Sequence, residues 1–510
     1  MTIVRNAAAR MICWLLVCGC SLAFPATATE SLSRTDALWL ERITYGLDSA
    51  TVARFRELGK RRFLEEQLAA RTDVLPSAIQ GQIAGLAISH SSAAQQVADE
   101  LAEQKRIRLL GDEDARQAAR KARNELGGRI LHETMRRELL RAIYSPAQLK
   151  EQMVWFWLNH FNVFAQKGYV KFLAGDYVDH AIAPHALGRF RDLVLATLRH
   201  PAMLQYLDNA QNATNRINEN YARELMELHT LGVDGGYTQA DVQELAHILT
   251  GVGIDPNQYE PGFARRSRPD VVRDGLFEFN PARHDFSDHV LLGEKIRGGG
   301  FDEVERAVDL LVKQPACARF ISRKIAIYLV SDDPPKSLVD AMARTFQRSG
   351  GNIADVLRTL FESPEFATSL GRKFKDPMHY VVSSLRLAYD GKAITNIQPV
   401  LNWLASQGEA LFGHSTPDGY AMTESAWASS GQMSRRFEIA SRIGNGSAGL
   451  FDAEDDTQHK TAAFPKLSSR LYFDGVEPYL SRTTLAALDK AASPQEWNVF
   501  LLASPEFNYR

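Results

Sequence analysis

The sequence predicts an all-α fold, a large multi-helical globular bundle with a small β-hairpin or lid as an insertion. Three observations predict it. From Ser31 onward apolar residues recur at helical spacing almost throughout, whereas the period-2 runs that would mark long strands are hard to find. The stretch Gln152 to Phe164, QMVWFWLNHFNVF, is apolar on every side, as a helix at the centre of a large domain must be. Only between Arg265 and Gly300 does the pattern change to Gly, Pro and charge, with GLFEF and HVLLG as short strand-like pieces around NPARHDFSD.

At the N-terminus, Arg5 and Arg10 precede an apolar run from Met11 to Phe24, followed by Ala26-Thr27-Ala28. That order is a secretory signal over residues 1–28 rather than a membrane span, which needs roughly 20 apolar residues. The mature chain would start near Thr29 and work in the periplasm or outside the cell, with no transmembrane span after cleavage. Val17-Cys18-Gly19-Cys20 offers an alternative, acylation of Cys20 as in bacterial lipoproteins, for which Cys18 is an awkward neighbour. Three cysteines lie in this leader, so Cys317 is the only thiol of the exported chain and no internal disulfide can form. A chain of this length can bury a large core without one. In KQPACARFIS, Cys317 reads as a small buried hydrophobe on a helix. The net charge of -2 gives no general attraction for nucleic acid or an anionic membrane. Roughly 480 mature residues suggest two or three packed units. We divide them into a helical region with a charged arm at 29–145, a central core with an Asn-rich loop and the lid at 146–300, and a C-terminal helical region at 301–510.

Within the arm, helix formers dominate from Ser91 to Tyr144, and the Gly127-Gly128 pair predicts two helices, the first largely solvated. In the central run, Asn159 and Asn162 fall on one stripe with Trp155, and His160 points towards Phe156 and Phe164. Buried, these polar groups need partners or an internal polar pocket. Tyr206 to Asn220, YLDNAQNATNRINEN, reads as a loop, and Asn218 caps the helix YARELMELHTLG behind it. Gly232 and Gly235-Gly236 end that helix; Thr238 opens another, with Asp241 in capping-box position, and Gly251 closes it. Helical periodicity returns at Phe301 and continues to the C-terminus, interrupted by HSTPDGYAMTESAW at His414 to Trp427. There Asp418-Gly419 makes a turn and Trp427 joins the core. The repeated SPEF at Ser363 and Ser504 is reused stop-and-restart punctuation.

These blocks in this order, namely TDALWLERITYGLDSATVARFRELGKRRFLEEQL, WFWLNHFNVF, YLDNAQNATNRINENYARELMELHTLGVDGGYTQADVQELAHILTG, TPDGYAMTESAW and the terminal ASPEF, resemble the bacterial domain-of-unknown-function family 1800 over essentially the whole mature chain. One departure stands out: after His284-Asp285 the family usually carries a glycine and then a lysine, where this chain has Ser287 and His289. The resemblance implies export and an exported sulfatase-like or phosphatase-like partner. It supplies no activity.

On a regular helix Glu224 and Glu227 share a face, with His229 roughly 140° and 160° away, so the three cannot hold one metal. No HEXXH or Cys-His zinc spacing occurs. His229 reads as a hydrogen-bonded core histidine, and Arg223 as the (i, i+4) partner of Glu227. Glu224, nearer the apolar border, remains. If His284 and Asp285 from the lid, or His160 from the central run, approach it, the set would serve acid-base catalysis or hold a divalent ion. Glu224 would be the base or ligand, His284 the second acid-base group and Asp285 its orienting carboxylate. His160, Asp208, Asn209, Asn218 and Glu227 are the binding candidates, the carboxamides suiting a polyol or glycan. The expected function is acid-base or metal-assisted hydrolysis of an envelope or extracellular substrate such as a glycan. The rival is a non-catalytic helical binding or scaffold protein, accessory to a sulfatase-like partner.

Overall fold

The computed structural model describes residues 31–70, 73–255, 271–452 and 464–510. The leader over 1–28, the Cys20 alternative and residues 265–270 of the lid stretch lie outside the described residues. The chain is 64% helical, in about 20 helices, with small antiparallel sheets of three and two strands. No described helix is long and apolar enough to cross a membrane. One buried apolar cluster runs from Leu32 to Phe507 and draws on every region of the chain.

At its centre lies the helix Gln148–His160, whose Met153, Phe156 and Trp157 are essentially inaccessible. An all-round apolar sequence can bury every face only by being surrounded, and the remaining helices do this. Trp157 donates its indole N–H to the Ala186 carbonyl (2.9 Å), so even the polar atom of this ring is satisfied. Cys317 is fully buried on the helix Pro315–Leu329, and Trp427 is buried as well. Ser363 caps the helix Pro364–Ser369 with its side chain, and Ser504 accepts the Phe507 N–H (3.3 Å) ahead of a short 3₁₀ turn. Thr238 and Asp241 form the expected capping box on Gln239–Ile248.

Two expectations are corrected. The arm does not break at Gly127-Gly128: Glu113–Tyr144 is one 32-residue helix. Each glycine costs about 1 kcal/mol relative to alanine, but Gly127 is buried and the helix packs on Val170–Asp176, which offsets the propensity. Nor do GLFEF and HVLLG pair with each other around His284 and Asp285 as one hairpin or lid. Strands β1 (Val252–Ile254), β2 (Val272–Asp274) and β3 (Phe277–Phe279) pair in the order β1-β3-β2, with Phe279 opposite both Val252 and Val272. β4 (His289–Leu291) and β5 (Glu294–Ile296) form a separate hairpin. His284 and Asp285 lie in the connection between the two sheets, and His284 is buried.

Candidate functional site

The helix that carries Glu224 is not regular. It runs as an α-helix only over Asn220–Glu224 and then becomes a π-helix at Leu225–Thr230. The Leu231 N–H donates to the Met226 carbonyl (2.8 Å) and the Thr230 hydroxyl to the Leu225 carbonyl (2.6 Å), each five residues back. Angles counted at 100° per residue therefore fail beyond Glu224, and such π turns are frequent at functional sites. Gly232 ends the segment with φ +85°, and a Cβ there would meet the Phe320 ring at 2.8 Å. Glycine at this position lets the end of the π turn press directly onto Pro315–Leu329.

The loop at His414 to Tyr420 is held by the central helix and the residues after it. Asn159 donates to the Tyr420 carbonyl (2.9 Å) and accepts the Tyr420 N–H (2.6 Å). Asn162 donates to the carbonyls of His414 (3.0 Å) and Thr416 (2.8 Å), and the Tyr206 hydroxyl to that of Ser415 (2.8 Å). Gly419 takes φ +74° and lies so close that a Cβ would stand 2.2 Å from the Asn159 carbonyl oxygen. Half-buried Asn159 and buried Asn162 thus find their partners in this loop, and the loop presents Asp418.

Around these elements the ionisable groups fall into an ordered set. Glu224 is half-buried and, among the described residues, has no hydrogen-bond or ion-pair partner. Burial pushes its carboxyl up, Glu227 and Asp418 add to the rise, and Arg223 opposes it. Asp418 behaves in the opposite sense. Burial pushes it up too, but hydrogen bonds from Thr416 (2.6 Å) and His414 (3.3 Å) outweigh that and hold it below the ordinary carboxylate range. Lys324 lies over the Phe320 ring, 5.5 Å from its centroid, without an ion-pair or hydrogen-bond partner among the described residues. Burial lowers its ammonium to about 8, against the pull of Asp418. Deeper still, the His160 Nε2–H donates to the His229 carbonyl (3.0 Å), and the two rings stand 5.9 Å apart. Burial first, and the Lys324 charge second, lower both imidazoles, His229 to about 3, so both are neutral. His229 is buried as expected but is not hydrogen-bonded through its ring: neither nitrogen has a partner among the described residues.

The charges of Glu227 and Asp418 thus act on Glu224, that of Asp418 on Lys324 and that of Lys324 on His160 and His229, without a side-chain hydrogen bond or ion pair joining Glu224, Asp418 and Lys324 among the described residues. The structure does not bring His284 and Asp285 into this set. His284 donates from Nδ1 to the Thr250 carbonyl (2.7 Å) and meets Glu303 through Nε2, both side chains fully buried. Asp285 pairs with His247 (2.7 Å) and accepts from Ser287. Their partners bind the inter-sheet connection to Gln239–Ile248 and Phe301–Lys313, a structural task. Among the described residues, no three His, Cys, Asp or Glu side chains are grouped to hold a metal ion. The expected set of Glu224, His160, His284 and Asp285 thus offers no shared divalent site.

The remaining candidates are also reassigned. Arg223 turns away from Glu227 and pairs with Glu219 (3.0 Å) and Gln239 (2.9 Å); among the described residues Glu227 has only a long contact from the Tyr237 hydroxyl (3.5 Å). Asn209 is fully buried and donates to the carbonyls of Leu249 and Val252. Asn218 holds the loop through Asp208 and Asn212 and accepts from Asn220, and Asp208 pairs with Lys167 (2.7 Å). These carboxamides organise backbone.

Two residues escaped the sequence reading. Lys324 has a signal in hindsight, a lone cation on the stripe Cys317, Ile321, Lys324, Tyr328 of an otherwise apolar helix face. Asp418 has only the turn dipeptide it forms with Gly419.

Among curated proteins none matches this chain, and no solved structure matches it. A family model described as protein of unknown function (DUF1800) matches residues 38–509. By that match, which spans nearly all of its length, the chain belongs to the DUF1800 family.

Proposed function

We propose that this protein is a hydrolase that works by acid-base catalysis outside the cytoplasm, with glycosidic bonds as the substrate class. The observation that carries the reading is the unequal solvation of two neighbouring carboxyls. Glu224 is half-buried and unpartnered, whereas Asp418 accepts two hydrogen bonds from its own loop. Paired titratable groups pushed in opposite directions are the arrangement that separates an acid from an ionised carboxylate at one pH. Glycoside hydrolysis needs that division: a protonated carboxyl to give its proton to the departing oxygen and an ionised one to activate water or stabilise positive charge. Glu224 takes the first role and Asp418 the second. The charge of Asp418 in turn supports the ammonium form of Lys324. Export is supported by the basic, apolar, small-residue order of residues 1–28. The reading uses no metal.

The test is release of reducing ends from a panel of envelope and extracellular polysaccharides by the wild type, Glu224→Gln and Asp418→Asn. Release by the wild type and a loss of about 100-fold or more in each variant is expected. Release that survives both substitutions, or none from any polysaccharide, sinks the assignment. A second reading, docking of an exported sulfatase-like partner on the arm, draws support from exposed Leu109 and Leu126 and from a groove of about 580 Å³ beside Leu126, Ile130 and Phe172.

A further inference from the structure

At the opposite end of the central helix from Asn159, Glu151 lines a separate cavity of about 300 Å³. The charged groups around it are paired in a closed account, apart from one. Lys150 pairs with Asp73; Arg141 with Asp179 (2.7 Å) and Glu138 (3.5 Å); Arg137, just behind, with Glu138 (2.8 Å) and Asp179 (2.6 Å). Three cations thus face four carboxylates, and the carboxylate left over is Glu151, with no hydrogen bond or ion pair among the described residues. Leu75, Val154 and Val178 supply apolar wall beside it.

A half-buried cleft with one carboxylate left over from its ion pairs, and with apolar wall beside it, is completed by a cation. Because no three carboxylate or imidazole groups among the described residues are grouped to hold a metal ion, and because part of the wall is apolar, the fitting cation is organic. We propose that this cavity binds a small alkylammonium group, with Glu151 as its counter-ion and the apolar wall against its alkyl part. Titration agrees with the geometry. Burial, then the Glu138 charge, push the Glu151 carboxyl up to about 7 against Arg141 and Lys150, so an arriving cation drives its proton off. The site is independent of the chemistry assigned to Glu224.

The test uses the full mature chain and propylammonium chloride as the probe, with potassium chloride at equal ionic strength and 1-propanol as controls. Calorimetry at pH 7 in phosphate and in MOPS, a bulky sulfonated tertiary amine rather than a primary alkylammonium, separates the binding heat from proton release. Saturable binding of propylammonium alone, with a fraction of a proton released, is the expected result. Glu151→Gln should weaken it about tenfold or more and abolish the release. Ala183→Met, which fills the cavity from another wall, should block binding while leaving Glu151 in place, so failure of either variant to fold leaves the other decisive. Absence of saturable heat, equal heat from potassium, or unchanged affinity in a folded Glu151→Gln overturns the proposal.

Discussion

Lys324→Met is the sharpest perturbation of the candidate site, because it removes a charge while keeping an apolar stem of similar reach. Burial lowers the Lys324 ammonium from the ordinary 10.5 to about 8. The unfolded chain therefore holds this proton up to pH 10.5, whereas the folded chain gives it up near pH 8. Between those values the unfolded state binds more protons, and stability rises with pH. Below pH 8 the folded protein carries the full cost of a buried, unpaired cation. At about 1.4 kcal/mol per pH unit, the gap corresponds to about 3 kcal/mol, an upper value because the side chain retains some contact with solvent. The variant should thus be more stable than the wild type at pH 7 by up to about 3 kcal/mol. That advantage should shrink through the window from 8 to 10.5 and vanish above it. Urea unfolding of both proteins at several pH values, read as the difference in free energy at equal m-value, measures this, and other titrating groups cancel in the difference. A variant less stable at pH 7, or a difference that does not change with pH, would refute the reasoning, since either result requires a partner for the ammonium. A lysine kept at such a cost is what a functional site predicts and a purely structural one does not.

Three further outcomes follow from the geometry. Gly419→Ala forces a side chain into φ +74° and against the Asn159 carbonyl. It should cost about 2 kcal/mol or more, seen as faster hydrogen exchange over residues 414–420 and loss of any Glu224-dependent turnover. Asn159→Ala leaves the Tyr420 N–H and C=O without their side-chain partner and should destabilise the chain by about 1 to 3 kcal/mol in urea unfolding, with protease cutting first in the same loop. Asp285→Asn tests the structural assignment. Burial raises the Asp285 carboxyl, but hydrogen bonds from Ser287 and His247 outweigh this and hold it at about 2, below its ordinary 3.8. Its contribution, about 1 kcal/mol after allowance for solvent screening, is present above pH 3.8 and lost as the pH falls through about 2. The variant should therefore be less stable than the wild type at pH 6, approach it in acid, and leave turnover unchanged.

Much of the helical architecture was legible because its determinants are local. Thr238 and Asp241 cap across three residues, and the all-round apolar face of Gln148–His160 has one solution, burial. What escaped depends on register or on distance along the chain. The π turn at Leu225–Thr230 shifts every later side chain on the Glu224 helix, and it is secured partly by a hydroxyl bond from Thr230 that no apolar periodicity encodes. Arg223 chose Glu219 and Gln239 over Glu227 because the next helix brings Gln239 within reach. His284 met Glu303 on the helix after the second hairpin, where two charged sequence neighbours gave no hint of complete burial. Lys324 and Asp418 are far apart in sequence, and only the asparagine grip on the loop brings them into one field.

That grip has a consequence of its own. Asn159, Asn162 and Tyr206 hold the loop entirely by its main chain: the carbonyls of His414, Ser415, Thr416 and Tyr420 and the amide of Tyr420. Apart from Gly419, whose lack of a side chain the fit demands, and Tyr420, whose hydroxyl donates to the Ala410 carbonyl (2.8 Å), these bonds do not read the side chains of the residues displayed. Asp418 itself makes none of these main-chain bonds and can be exchanged while the path of the loop persists. The fold thus behaves as a mount that keeps an outward-facing group in place whatever its chemistry, and reactivity can diverge among its bearers without the core being rebuilt.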